Sequence, residues 1–284
     1  MSVSFGTVAA QVGVTEVGGE AAPEAALRAE GLVKRFGAAV ALAGVSFEVA
    51  PGEVFGLAGA NGAGKTTLLK VLAGLCRPDQ GWAEVAGADV ATEPGRVRQL
   101  VGYMPDRFGV YDSMTAAEYL SFYASCYRLP RPRAQRAVTD LLALMGISAK
   151  RDEPLNALSQ GMKQRLCLAR ALVHDPEVLL LDEPAAGLDP RARAELRELI
   201  AALGEMGKAV VISSQILAEL AEVSTSIGIL HEGAMVAYGN AEQLLAGSEG
   251  LEELFLSLTE PEEQEAPIGE PAGTGEDEEG AATK

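Results

Sequence analysis

The chain has 284 residues, of which 48% are hydrophobic and 22% are charged, and its formal net charge is −17. A chain of this length and composition can bury a substantial apolar core without disulfide or metal cross-links. The acidic charge argues against a general nucleic-acid binder and against adsorption to anionic lipid, because both need clustered Lys and Arg side chains. No apolar run reaches the ~18 residues that a membrane-spanning helix needs.

Cysteine and histidine usage favours a reducing compartment. Cys76, Cys126 and Cys167 are odd in number and widely spaced, so neither a disulfide framework nor a zinc knuckle is expected. The two histidines, His174 and His231, are too few for a His-rich metal site. The N-terminus lacks the basic and then apolar stretches of a secretory signal. We therefore expect a cytoplasmic protein.

Both ends of the chain are predicted to be disordered extensions. Residues 1–27 contain three acidic residues and no basic one, and residues 260–284 contain nine acidic residues and one lysine. Both segments are rich in Gly, Ala, Pro and Glu without periodicity, a composition that cannot offset the entropy of ordering. The folded domain is therefore expected over 28–259. The acidic tail is interpreted as a solvating segment, with a specific partner-binding role as the alternative.

In chain order, strands are predicted before a helical stretch. The first strands are Leu27–Phe36, Val45–Val49 and Val54–Ala58, and short ones follow at Trp82–Val85 and Val101–Met104. A helix is expected from about Lys65 to Leu75. From about 107 to 174 the pattern becomes helical, with a capping box at Thr115 and Glu118 and helical spacing over Arg131–Met145. This stretch is interpreted as an inserted subdomain.

Strands then return and alternate with a helix. They are predicted at Val178–Leu181, Ala209–Ser213, Ser226–Leu230 and Ala234–Tyr238. The intervening helix has Asp189 at the N-cap and Pro190 at its first position. Strands that alternate with helices predict an α/β fold with a mostly parallel sheet covered on both sides.

A glycine-rich loop between a predicted strand and a predicted helix matches GxxxxGK[ST]. It comprises Gly59, Ala60, Asn61, Gly62, Ala63, Gly64, Lys65, Thr66 and Thr67. The glycines let backbone N–H groups turn inward around phosphate oxygens, and the helix presents its positive end to them. Lys65 is placed for the β- and γ-phosphates and the Thr66 hydroxyl for Mg²⁺. This is a strong motif for a nucleoside triphosphate.

Two carboxylates follow an apolar strand. Asp182 and Glu183 come directly after Val178–Leu181. Asp182 is placed to hold Mg²⁺, and Glu183 to act as the general base on the attacking water. An apolar strand that ends in Asp-Glu is weak evidence alone, but it is strong beside the phosphate loop.

A third motif narrows the class. The segment Leu158–Arg165 (LSQGMKQR) precedes the carboxylate pair and resembles the LSGGQ signature of ATP-binding cassette (ABC) ATPases. The resemblance covers about 28–259 and implies a P-loop NTPase core with an inserted helical subdomain, binding ATP and Mg²⁺. It implies that the signature residues serve the ATP of a second cassette, in a homodimer or heterodimer. These residues are Ser159, Gln160, Gly161 and Met162, of which Met162 departs from the usual Gln.

The resemblance assigns further residues and shows two departures. Phe36 stands where the family stacks an aromatic ring on adenine, although it could instead be a core strand residue. Asp189 belongs to the segment that resembles the family's D-loop, which links the two ATP sites. Asp106 replaces a Gln that contacts Mg²⁺, and Gln215 replaces a switch histidine. Because Gln cannot carry a proton or charge, hydrolysis is expected to be slowed more than nucleotide binding.

The resemblance implies an energy-coupling subunit that works on a separate membrane permease at the inner face of the membrane. Asp106–Leu120 resembles bacterial export-type cassettes and is the expected permease-docking face, with an ordinary surface loop and helix as the alternative. Neither nucleic acid nor a direct lipid anchor is expected. Two other functions stay open: a degenerate regulatory ATP sensor, suggested by Asp106 and Gln215, and a soluble ABC ATPase that acts on nucleic acid or ribosomes.

Overall fold

A computed structural model describes residues 25–106, 109, 114–245, 253, 255 and 256. The predicted disorder of 1–27 and 260–284 lies almost wholly outside these residues, apart from 25–27. Part of the predicted docking face, residues 107, 108 and 110–113, also lies outside them.

The centre of the described fold is a six-stranded sheet. Its strands are β3 (Val54–Ala58), β6 (Val101–Met104), β7 (Val178–Asp182), β8 (Ala209–Ser214), β9 (Ser226–His231) and β10 (Ala234–Asn240). They lie in the order β10-β9-β3-β8-β7-β6, and the pairing is parallel except between β10 and β9. Every residue of β3, β7 and β8 is buried, as expected for parallel strands that are covered on both faces. The predicted mostly parallel α/β sheet is therefore present.

A four-stranded antiparallel sheet packs beside it, which the sequence analysis did not predict. It contains β1 (Leu27–Phe36), β2 (Ala39–Val49), β4 (Gln80–Val85) and β5 (Ala88–Asp89), in the order β2-β1-β4-β5. β2 begins six residues before the predicted Val45, because pairing with β1 continues to Phe36 and Ala39. This extension depends on a partner strand and has no signal of its own in the segment.

Helices cover the six-stranded sheet on both faces. They are α1 (Lys65–Leu72), α2 (Pro94–Leu100), α3 (Ala116–Cys126), α4 (Arg131–Leu144), α5 (Gln160–Leu172), α6 (Pro190–Glu205), α7 (Leu217–Val223) and α8 (Ala241–Leu245), with short 3₁₀ turns at Ser148–Lys150 and Leu155–Ala157. α1 ends three residues earlier than predicted.

The central sheet separates two clusters of buried apolar side chains, one on each of its faces. Alternate residues of β7 enter different clusters: Val178 and Leu180 pack with α1, α2 and the antiparallel sheet, whereas Leu179 and Leu181 pack with α3 to α7. Each strand of the sheet is therefore fixed from both sides, and the loops at the strand ends are held on a rigid base.

The region between β6 and β7 is helical, as predicted. Thr115 caps α3 through a complete capping box with Glu118. α4 and α5 pack against α3, and α5 also packs on β6. α5 thus joins the helical region to the central sheet, with its N-cap, Ser159, at the end remote from His174.

Candidate nucleotide-binding site

The carboxyl ends of four neighbouring strands bring the predicted site residues to one edge of the sheet. β3 ends at Ala58, which pairs with Ser214 of β8, and Asp182 at the end of β7 pairs with Ser213. β6 ends at Met104 beside β7. Parallel strands present their carboxyl ends at a common edge, so the loops that follow them converge there.

The loop between β3 and α1 has a backbone suited to an anion. Gly62 and Gly64 have φ values of 84° and 110°, in the left-handed region that favours glycine. A Cβ at Gly64 would lie 2.4 Å from the Ala41 carbonyl oxygen, so a larger residue does not fit. Gly64 is also the N-cap of α1, and no side chain caps this helix. The first amides of α1 and its positive end are therefore open toward the loop.

Lys65 is the cation of this loop. Its side chain is 6% exposed, and Nζ donates hydrogen bonds to the carbonyl oxygens of Gly59 (2.7 Å) and Ala60 (3.2 Å). Nζ also lies 3.3 Å from Glu183 Oε1. The predicted phosphate-binding lysine and the predicted general base are therefore in direct contact.

Asp182 offers one free carboxylate oxygen to a cation. The residue is fully buried, and Oδ1 accepts a hydrogen bond from Ser213 Oγ at 2.8 Å. Oδ2 is buried and has no hydrogen-bond partner within the described part of the chain. A buried carboxylate oxygen without a partner is costly, so the arrangement fits a hard cation such as Mg²⁺. Among the described residues, no cluster of three or more His, Cys, Asp or Glu side chains is arranged to hold a metal.

Glu183 is held by its backbone and its side chain. Its φ is 49°, a left-handed conformation that is uncommon for a residue with a Cβ. Its backbone N–H donates to Ser213 Oγ at 3.0 Å, and Oε2 accepts from the Gln215 backbone N–H at 3.3 Å. The side chain is 16% exposed, and its Oε1, which faces Lys65, is buried.

The signature residues begin α5. Ser159 is the N-cap, and its Oγ accepts from the Met162 N–H at 3.3 Å. Ser159 and Gln160 are exposed, and Gly161 and Met162 are half-buried. The predicted helix N-terminus is therefore present and accessible.

The D-loop residues lie against the signature. Asp189 caps α6 by accepting from the Ala192 N–H at 3.0 Å. Gly187, Leu188 and Asp189 line one groove of about 440 Å³ together with the four signature residues. No residue of the phosphate loop lines this groove. The two predicted ATP-contacting surfaces are thus separate features of the chain.

Comparisons with known proteins agree with this geometry. The family model described as ABC transporter matches residues 42–186, which include the phosphate loop, the signature and the carboxylate pair. An uncharacterised ABC transporter ATP-binding protein of Synechocystis is 39% identical over 73% of this chain and 59% of its own. The Nod factor export ATP-binding protein I of Ralstonia nicotianae is 35% identical over 77% of this chain and 68% of its own.

A solved ATP-binding subunit of an ABC transporter has a TM-score of 0.75 at 30% identity and covers 82% of this chain and 99% of its own. The chain belongs to the ABC transporter family. It is an ATP-binding cassette of that family, whose cassettes are ATPases. Among the described residues, no helix has the length and apolar character needed to cross a membrane.

The two departures from the cassette pattern lie at the same edge of the sheet. Gln215 is exposed and follows β8, and its backbone already contacts Glu183. Asp106 is exposed and follows β6. Burial raises the pKa of Tyr103, and the nearby carboxylates of Asp182 and Asp106 raise it further. Gln215 therefore contacts Glu183 through its backbone, and Asp106 and Asp182 both lie near Tyr103.

Phe36 is at the end of β1, and the alternative that it is a core residue is wrong. The ring is 56% exposed, and Lys34 Nζ lies 5.4 Å from its centroid. β1 turns into β2 directly after Phe36, so the ring projects beyond the apolar cluster. An exposed ring is free to stack on a planar ligand.

Sequence analysis missed two residues that lie near Glu183, Ser213 and Glu219. Ser213 contacts both Asp182 and Glu183. Glu219 lies 3.3 Å from Arg193, and burial raises the pKa of Glu219 while Arg193 and Arg197 oppose the rise. Of these, only Ser213 had a signal: a polar residue that ends a buried apolar strand.

Proposed function

We propose that the chain is the ATP-hydrolysing subunit of an ABC exporter, working with a second cassette on a separate membrane permease. The observation that carries this proposal is the direct contact between the phosphate-loop cation and the candidate base, with Lys65 Nζ 3.3 Å from Glu183 Oε1. Asp182, the last residue of β7, directly precedes Glu183 and has a buried oxygen without a hydrogen-bond partner among the described residues. Binding, metal-holding and proton-accepting groups are therefore in one place.

The phosphates of ATP would lie on Gly59–Thr67. Lys65 would exchange its contacts with the Gly59 and Ala60 carbonyls for the β- and γ-phosphates, which are stronger acceptors. Thr66, Asp182 and Asp106 would hold Mg²⁺. That ion would neutralise part of the phosphate charge.

Glu183 would accept the proton of the attacking water. The water oxygen forms a bond to the γ-phosphorus, the bond from phosphorus to the β,γ-bridging oxygen breaks, and ADP leaves with that electron pair. Once Lys65 turns to phosphate, the Gln215 backbone N–H still orients the Glu183 carboxylate. The Gln215 side chain can add one neutral hydrogen bond to the γ-phosphate, which is weaker than a charged one.

The signature groove supports the dimer part of the proposal. The signature residues form the capped N-terminus of α5 at the surface, and the phosphate loop of the same chain does not line the groove. In a symmetric pair, the same surface of each subunit can complete the site of the other. Asp189, in the same groove, would then link the two ATP sites. Phe36 would stack on adenine.

The proposed export direction and permease partner are supported by sequence similarity to a named exporter subunit. A relative named for export of Nod factor is 35% identical to this chain. The docking face would be Asp106–Leu120, of which the described part includes the capped start of α3 at Thr115. The cassette would thereby sit at the cytoplasmic face of the membrane through its permease.

A regulatory ATP sensor is the second candidate, and Gln215 favours it. A neutral residue at the switch position can hold ATP without promoting its hydrolysis. The two candidates differ in turnover, since a sensor binds Mg-ATP and releases no phosphate.

The test is phosphate release by the purified chain at saturating Mg-ATP, with and without its permease in vesicles. The Glu183→Gln variant is the active-site control, and Glu84→Gln, at an exposed position of β4, is the matched surface control. We expect slow release by the wild type and by Glu84→Gln, and release lower by orders of magnitude from Glu183→Gln. ATP binding without release by the wild type, even with permease present, would support the sensor instead.

A further inference from the structure

Ser213 connects the two carboxylate residues of the candidate site through one hydroxyl group. It lies in β8, is fully buried, and pairs with Asp182 across the parallel strands. Its Oγ is 2.8 Å from Asp182 Oδ1 and 3.0 Å from the Glu183 backbone nitrogen. No motif in the sequence includes it.

The direction of these two hydrogen bonds is fixed by chemistry. The Glu183 backbone N–H can only donate, so Ser213 Oγ must accept from it. The single proton of the hydroxyl is then left for Asp182 Oδ1, which must accept. Ser213 therefore accepts a hydrogen bond from the Glu183 backbone and donates one to the Asp182 carboxylate.

The first consequence concerns Asp182. With Oδ1 occupied by Ser213, the carboxylate is held in one orientation and Oδ2 is the oxygen left without a partner among the described residues. A metal-binding carboxylate whose other oxygen is hydrogen-bonded loses less freedom when the metal binds. Ser213 thus selects the oxygen that faces a cation.

The second consequence concerns Glu183. Its left-handed backbone, with φ 49°, turns the chain sharply after β7, and its N–H would be unsatisfied without Ser213. The same turn places its side chain against Lys65 and the Gln215 amide. The hydroxyl of Ser213 therefore supports the backbone geometry that presents the base.

We propose that Ser213 is a positioning residue that sets Asp182 for the metal and Glu183 for water through one shared hydroxyl. This inference rests on the proposed function of the site. It assigns to Ser213 a role in the Mg²⁺ dependence of ATP binding as well as in turnover, which a purely structural buried serine would not have.

The test compares three substitutions at Ser213. Ser213→Ala removes the hydroxyl, Ser213→Cys keeps its approximate volume with a weak donor, and Ser213→Thr keeps the hydroxyl. Ser224→Ala is the matched control, because Ser224 is also buried and its hydroxyl has no hydrogen-bond partner among the described residues. Calorimetric titration with ATP is run in EDTA and over a series of Mg²⁺ concentrations, and melting temperatures establish that each variant is folded.

We expect Ser213→Ala and Ser213→Cys to need roughly tenfold more Mg²⁺ for half-maximal enhancement of ATP binding, the usual size of the loss when a partner of a metal ligand is removed. ATP affinity in EDTA should not change. Ser213→Thr should restore the wild-type Mg²⁺ dependence, and Ser224→Ala should match the wild type. In an Asp182→Asn background, adding Ser213→Ala should shift the Mg²⁺ requirement little, because the two residues act as a unit.

Unchanged Mg²⁺ dependence in both Ser213→Ala and Ser213→Cys would overturn the role of Ser213 and leave the proposed function intact. An equal loss of ATP affinity with and without Mg²⁺ would also overturn it, since that pattern indicates general damage to the site. A wild-type chain whose ATP binding ignores Mg²⁺ would instead contradict the proposed function, and with it this inference.

Discussion

The edge of the central sheet and the signature groove are both predicted to contact ATP, but they differ in how complete they are. At the sheet edge, Lys65 is 6% exposed, Asp182 is fully buried, and the charged groups contact one another. In the groove, Ser159 and Gln160 are exposed, and the Ser159 hydroxyl contacts its own helix.

This difference is one of preorganisation. Groups that already hold one another in a buried network need little rearrangement when a ligand replaces one of the partners. An exposed helix N-terminus has a weaker field in water and gains strength when another surface excludes the solvent. Under the proposed function, the sheet edge would be a site within one chain, and the groove would be half of a site that a second chain completes.

The largest expected effect is at the candidate base. Glu183→Gln keeps the shape of the side chain but removes its ability to accept a proton, so phosphate release should fall roughly 10²- to 10⁴-fold. ATP binding should be retained, and the ATP-bound dimer should accumulate. Size-exclusion chromatography with light scattering at saturating Mg-ATP measures the fraction of dimer. A purely monomeric variant would count against a shared ATP site.

The next effect should be on affinity at the sheet edge. Lys65→Ala removes the buried cation of the phosphate loop, and ATP affinity should fall roughly 100-fold, which corresponds to ~3 kcal/mol for lost charged hydrogen bonds. Lys70→Ala, an exposed lysine of the same helix, is the control and should bind normally. Equal calorimetric affinities for the wild type and Lys65→Ala would contradict the assignment of the site.

A smaller effect, confined to the dimer, is expected in the groove. A Cβ at Gly161 would lie 3.7 Å from Leu188 and 3.8 Å from Ala192, which is ordinary contact. Gly161→Ala should therefore fold normally, and Gly161→Asp should add a charge that repels the phosphate of a second chain. We expect Gly161→Asp to bind Mg-ATP normally as a monomer and to lose ~10-fold or more in ATP-dependent dimerisation by light scattering. Impaired monomer binding would place the groove in the same site as the phosphate loop.

The last expected effect is a gain in activity, at the switch position. Gln215 contacts Glu183 through its backbone, which any residue supplies, so Gln215→His keeps that contact and adds a side chain that can carry charge. Phosphate release should rise roughly 5- to 150-fold, the value of one charge-assisted contact in the transition state. Asp106→Gln should also raise the rate by reducing repulsion near the γ-phosphate. A rate for Gln215→His at or below that of the wild type would show that position 215 does not act on phosphate.

Local signals made much of this fold predictable. Short-range chemistry predicts three features that the structure contains. They are the capping box of Thr115 and Glu118, the N-cap at Asp189 and the strand before the phosphate loop. The sequence motifs also predicted Asp182 at the end of a buried strand and Ser159 at the start of a helix, and the structure has both.

Contacts between distant segments were not predictable from the sequence. The antiparallel sheet depends on pairing of β1 with both β2 and β4, and no local pattern specifies that partner choice. Ser213 is 30 residues from Glu183 in sequence, and its role appears only when β7 and β8 lie side by side. The exposure of Phe36 likewise depends on where the β1–β2 hairpin projects.

The most direct test of the central claim mixes two inactive chains. Lys65→Ala keeps an intact groove, and Gly161→Asp keeps an intact phosphate loop, so their heterodimer contains one complete composite site. Equal mixing should restore phosphate release far above that of either variant alone, to at most about half of the wild-type rate, since each mixed dimer has one working site of two. No release from the mixture, when ATP-dependent heterodimers are present by light scattering, would show that the groove and the phosphate loop of different chains do not share an ATP.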